Sequence, residues 1–261
     1  DGVPPYTQAP IGPGATFRYE FTVSHAGTFM YHPHTNSVAQ IDNGLYGVLI
    51  VDPQQPDAPK PAQEFTMMLG AWNLPSSGAM APAAPGPMPG GGGMPGMGGM
   101  MPGMGGTPGM GGGGGVGMMM NYNWFTINGK AFPATGEWVV RENDIVRVRL
   151  INVSNLAHPM HLHGQDFKVI AKDGEPLAAG LQTVMNTLTL NPGGTYDVLF
   201  LANNPGVWVF HCHELHHVEN DGVEPGGLMQ VIRYENVKAV ATTPPAATPR
   251  PQQPGMPGMG H

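Results

Sequence analysis

At 261 residues the chain is long enough to bury a sizeable core, and it is poor in charge, with 11% Asp, Glu, Lys and Arg and a net charge of −7. Only 11 Lys plus Arg, with no basic run, argue against nucleic-acid binding. No apolar stretch approaches the ~18 residues of a membrane span, and nothing at the start has the pattern of a signal peptide. The 40 Gly and 29 Pro would suggest low complexity, but 26 of these 69 residues fall between 78 and 119. This insert, and a similar tail at 241–261, carry too little branched apolar surface to offset the backbone entropy of glycine. The remainder reads as globular.

In chain order, residues 16–24 (TFRYEFTVS) alternate apolar and polar side chains and predict a half-buried strand. After a His-Ala-Gly turn, TFMYHPH predicts a strand ending on His32 and His34. GLYGVLIVD (44–52) and EFTMMLG (64–70) continue the rhythm, with Pro-rich connections. A second body begins near Asn121, where FTINGKAFPA places Asn128-Gly129 between β-formers, a hairpin signal. WVVREN, IVRVRLINVS, FKVIAKDG, TYDVLFLA, GVWVFHC and LMQVIRYE then follow as strands. In IVRVRLINVS, Arg147 and Arg149 nearly alternate with apolar residues, which predicts one buried face. No segment makes a convincing amphipathic helix, so the fold class is all-β. Two β-sandwich domains are expected, 1–77 and 120–240, joined by the insert 78–119 and followed by the tail.

Nine of the 11 histidines fall in three short clusters. The last is His211-Cys212-His213 followed by His216 and His217. On a strand His211 and His213 point one way and Cys212 the other, so metals bound on the two faces would be joined by a few covalent bonds. A thiolate with two imidazoles suits a blue-copper centre, and imidazoles alone suit copper that meets oxygen. The second imidazole beside Cys212 would come from His217. In the middle cluster, HPMHLHG, His161 and His163 share a face while His158 sits three residues earlier. The first cluster, His32-Pro33-His34, repeats the same-face pair. A lone H-x-H is common in strands that bind nothing; three clusters in this order at strand ends are not explained that way. The single cysteine, set between two histidines, is a ligand candidate, since it has no partner for an intrachain disulfide.

Together HPH, HPMHLHG and HCHELHH resemble the copper motifs of the multicopper oxidases. These laccase-like enzymes couple one-electron oxidation of substrates to the reduction of dioxygen to water. DGVPPYTQAPIGPG, NGLYGVLIVDP and LINVSNLA also read like family segments, so the resemblance covers most of the chain outside insert and tail. It implies two cupredoxin-like Greek-key sandwiches, with type 1 copper in the second. Carried over by motif, His158, Cys212 and His217 match the type 1 ligands and His161 a type 2 ligand. His32, His34, His163, His211 and His213 match type 3 ligands, with His211, Cys212 and His213 as the electron path. The first family motif, HxHG, normally lies shortly before a DGVP-like segment, so an N-terminal segment is expected to be missing; with it supplied, about four coppers per subunit are implied. Asp1 matches an acidic residue that assists proton delivery.

The axial type 1 ligand is usually a Met after a glycine, but the stretch here is lengthened. Leu228 falls in register with the axial position, with Met229 next to it. Only about 120 residues separate HPH from HPMHLHG, too few for an extra domain, which resembles the two-domain members and implies a homotrimer. The resemblance implies a phenol or aromatic amine, or Cu(I), as reductant, and for Cu(I) Met94, Met97, Met100, Met101 and Met104 of the insert offer soft thioethers. Nitrite reductase is disfavoured, because it needs His on only one side of the cysteine. The non-enzyme alternative is a copper-binding or sequestration protein with an incomplete trinuclear site. A periplasmic or extracellular home is implied by the resemblance. Glu214 and Asp166 lie near the motifs as relay candidates or plain rim carboxylates.

Overall fold

The computed structural model describes residues 2–55, 59–75 and 122–239. Asp1, the methionines of the insert and the tail lie outside these. β1 (Gly27–Tyr31) and β2 (Gly47–Val51) pair antiparallel, with a short helix α1 (Ser37–Asp42) between them. The chain continues through β3 (Gln63–Trp72), β4 (Trp124–Ile127), β5 (Glu137–Val140), β6 (Ile145–Asn152) and β7 (His158–Leu162). It then runs through β8 (Phe167–Lys172), β9 (Glu175–Pro176), β10 (Val184–Met185), β11 (Thr187–Leu190) and β12 (Thr195–Leu201). β13 (Val207–Cys212) and β14 (Met229–Tyr234) complete it. No described helix is long and apolar enough to cross a membrane.

Two sheets form the main body. One has the order β10-β8-β12-β6-β3-β4, with β9 on β8; the other is β11-β7-β13-β14-β5. Leu69, Phe125, Val148, Leu150, Leu162, Phe167, Phe210 and Ile232 are buried together in one core. The all-β expectation is met. β3 precedes the expected boundary at residue 77, yet it pairs parallel with β6 and antiparallel with β4. Asn128 and Gly129 both have positive φ, 53° and 74°, and close the tight turn that their pairing signals, with Ile127 bridged to Lys130. The Asn128 side chain also latches the turn to β3, accepting from Met68 N and donating to Thr66 O.

Two sequence expectations are corrected. Residues 16–24 form no strand, and Phe17, Tyr19, Phe21 and Val23 are 48 to 70% exposed. Period-two alternation yields a strand only when a neighbour takes up its hydrogen bonds and covers its apolar face, and no described strand does so. The second correction is β6, which is buried on both faces. Arg149 donates to Asp197 Oδ2 and Thr28 Oγ1, both at 2.8 Å, and reaches Glu64 Oε2 at 2.9 Å. Thr28 in turn donates to Asp197 Oδ1 at 2.7 Å. The face expected to meet water is instead covered by β1, and its charges are tolerated because they are paired. Burial still holds the Asp197 carboxyl above the usual carboxylate range, outweighing Thr28 and Arg149.

Candidate metal centre

The chemistry gathers around the end of β13. In an antiparallel pair, residues directly opposite share a face. His211 lies opposite His161 on β7 and Met229 on β14, whereas Cys212 lies opposite Met160. Cys212 N donates to Leu228 O at 3.0 Å, so Leu228 continues the ladder on the thiol side. One strand thus presents a buried thiol to the core and imidazoles to the opposite face.

On the thiol side, His158, Cys212 and His217 are all buried, and their ligand atoms lie within 4.8 Å of one another. His158 Nδ1 is 3.0 Å from His217 Nδ1, and Cys212 Sγ is 3.9 and 3.4 Å from the two. These edges approach the ~3.5 Å that bonds of ~2.0 to 2.3 Å would span in a trigonal plane, so the residues fit one thiophilic metal ion. Burial lowers His158 to about 4 and His217 to about 3, the latter helped by His158 and His216. Both rings are therefore neutral at pH 7, as a ligand must be. Burial also pushes the Cys212 thiol to about 12, so a metal must displace that proton on entry. The two imidazoles are held differently. His158 Nε2 meets Ser154 Oγ at 2.7 Å, while the His217 ring lies 4.3 Å from Phe125, tilted by 33°.

On the opposite side, His161, His163, His211 and His213 form a ring of neighbours with centroids 4.9 to 5.8 Å apart. His163 and His213 are exposed, and His161 and His211 partly buried. His161 Nδ1 contacts Asn186 O at 2.9 Å and His211 Nδ1 contacts Cys212 O at 2.8 Å. A carbonyl can only accept, so both rings carry their proton on Nδ1 and turn Nε2 outward. Nε2 of His211 lies 2.9 Å from Nε2 of His163, so the bare His211 nitrogen and its neighbour converge on one space. Desolvation lowers both His163 and His211, with neighbouring imidazoles adding to it, and the bond to the Cys212 carbonyl partly offsets it at His211.

His32 and His34 lie together, 4.8 Å between centroids, after the end of β1. Among the described residues they make no ring contact with the other four. His216 is exposed and packs edge-on against Phe125. Two motif glycines are explained by close approach. A side-chain carbon on Gly164, at φ +69°, would collide with the Trp208 ring, and one on Gly227, at φ +55°, with the His217 carbonyl. Asp1 and Met94, Met97, Met100, Met101 and Met104 lie outside the described residues. Sequence reasoning passed over Ser154, Asn152 and Phe125. The Asn-x-Ser shortly before the HPMHLHG motif was the only available signal for the first two.

Two family models, each described as multicopper oxidase, match residues 1–56 and 116–223. The multicopper oxidase MmcO of Mycobacterium tuberculosis is 37% identical over 101 residues, 39% of this chain and 19% of that protein. The structure of the multicopper oxidase mgLAC superposes with a TM-score of 0.73 at 32% identity, covering 92% of this chain and 66% of that one. The blue copper oxidase of Nitrosomonas europaea gives a TM-score of 0.70 at 33% identity, covering 90% of this chain and 64% of that one. The chain spans about a fifth of the curated relative and somewhat under two thirds of each of the two solved chains.

Proposed function

The chain belongs to the multicopper oxidase family, and from that premise we propose that it carries a copper oxidase centre passing single electrons from small reductants to dioxygen. One observation carries the reading: a buried thiol with two imidazoles stands back to back, across the end of β13, with a second group of histidines. His158, Cys212 and His217 would hold type 1 copper, His161 type 2 copper, and His32, His34, His163, His211 and His213 the type 3 pair. Copper supplies one-electron redox chemistry at these positions. The chain's own part is to connect and insulate. Cys212 is bonded through the backbone to His211 and His213, and the Nδ1–H of His211 donates to the Cys212 carbonyl, adding a second link between the faces. Leu228 supports an axial position without a donor atom, since it shares the thiol's face while Met229 lies opposite His211.

A homotrimer in which one protomer's His32 and His34 meet its partner's four rings is the assembly proposed. Phenols, aromatic amines or Cu(I) are the reductants proposed, the thioethers of the insert favouring Cu(I). The Asp1 carboxylate would assist proton delivery, and a periplasmic or extracellular home suits this chemistry. The test is copper content per chain with the visible spectrum and oxygen consumption on the same sample. More than one copper per chain, an intense thiolate band and reductant-dependent oxygen uptake are expected. A single copper with the blue band and no oxygen uptake would leave only electron transfer or copper storage.

A further inference from the structure

The buried polar chain behind His158 has a direction that can be worked out atom by atom. Asn152 Nδ2 lies 2.7 Å from Leu156 O and 3.0 Å from Leu190 O, two carbonyls that can only accept. The amide nitrogen is therefore fixed on that side and the amide oxygen on the other. Consistently, Asn152 Oδ1 accepts from Ser154 N at 3.0 Å. Ser154 Oγ is 2.9 Å from that same oxygen and 3.2 Å from Leu156 O, so its one proton goes to an acceptor in either case. Leu156 N donates to Ser154 Oγ at 3.2 Å, and with the hydroxyl proton on Asn152 Oδ1 or Leu156 O the remaining lone pair faces the nitrogen 2.7 Å away, His158 Nε2. In that arrangement His158 carries its proton on Nε2, which leaves Nδ1 bare toward Cys212 and His217. All three residues are at most 5% exposed, so water does not compete for these bonds.

We propose that Asn152 and Ser154 are positioning residues that fix the tautomer and aim of His158, presenting a ready Nδ1 lone pair to the metal. The assignment rests on the copper reading of His158, Cys212 and His217. The anchor is rigid at its far end: Asn152 N donates to Gly194 O, Asn152 O accepts from Gly193 N, and its side chain ties to β11 at Leu190. His217 has no counterpart, since among the described residues its Nε2 makes no hydrogen bond and Phe125 holds the ring by stacking. Partners of this kind set ring orientation and raise ligand basicity, and their loss typically costs about 10- to 100-fold in metal affinity.

Two measurements decide it. Nitrogen-15 NMR of the copper-free chain should show His158 as the Nε2–H tautomer, and an Nδ1–H pattern overturns the proposal even if no variant folds. Chelator competition for Cu(II), with the thiolate band as readout, should show Ser154→Ala about 10- to 100-fold weaker than the parent. Ser154→Thr, which keeps the hydroxyl, should recover most of that loss. If the parent forms the thiolate band and Ser154→Ala binds within about threefold of it, the positioning role fails alone. If the parent binds no copper at Cys212, the copper reading fails and this role with it.

Discussion

The two faces of β13 solve opposite problems with the same residue type. On the thiol side His158 and His217 are buried with Cys212, their rings neutral and locked by a hydrogen bond or a stack. On the other side His163 and His213 are exposed, and the four rings neighbour one another with centroids 4.9 to 5.8 Å apart. A site that only passes electrons gains from being dry and rigid. A site that must admit a molecule from solution has to stay open. Burial, more than ligand identity, separates the two.

Removing the atom that joins the faces should have the largest effect. Cys212→Ser keeps the shape of the buried side but replaces a soft sulfur with a hard oxygen. Complete loss of the intense visible absorption and of oxidase turnover is expected, with copper retained at the histidine face. Atomic absorption and the visible spectrum check this, and a surviving blue band would refute the role of Cys212.

The faces themselves were legible in the sequence, because alternation on a strand is a local rule that needs no partner. What supports them was not. Arg147 and Arg149 read as a wet stripe because what pairs with them is brought by other strands: Glu64 on β3 for both, and Asp197 on β12 and Thr28 on β1 for Arg149. Residues 16–24 carry the same alternation without a described partner and remain extended and exposed. Ser154 and Asn152 sit in a stretch that reads as strand end and loop. Their meaning depends on carbonyls of Leu156 and Leu190, which β11 brings from beyond the motif.

The stack on the dry side gives the next effect. Phe125 is fully buried and packs against His217, so Phe125→Ala should cost about 3 to 5 kcal/mol of stability in the copper-free chain. Copper affinity should fall as well, since His217 loses the nearest of the rings packed against it, leaving His158 and His216 at 4.8 Å. Urea unfolding measures the first and chelator competition the second. A stable variant with unchanged affinity would mean that the stack holds nothing.

Acid should act on the dry face before the wet one. His158 and His217 are depressed in the folded chain to about 4 and about 3, below the usual 6.5, so the unfolded chain takes up protons first. Their contribution to stability is therefore full above about pH 6.5 and is lost as pH falls toward 4, at up to about 1.4 kcal/mol per pH unit per histidine. Copper-free protein should lose about 1 to 3 kcal/mol between pH 7 and 5.5, read from urea midpoints. His158→Phe, which fills the space without a titrating group, should flatten part of that slope.

The smallest stability effect sharpens the contrast most. The His213 side chain is exposed and, among the described residues, makes only ring contacts with His161 and His211, while its backbone N donates to Pro159 O. His213→Ala should leave the urea midpoint of the copper-free chain within about 0.5 kcal/mol of the parent, as exposed substitutions usually do. Copper retained at the histidine face should nevertheless fall, while the thiolate band persists. Such a dissociation is the signature of a residue kept for a ligand and not for the fold. If His213→Ala unfolded the chain, or left copper content untouched, the open face would be ordinary surface and the comparison between the two sides of β13 would lose its functional meaning.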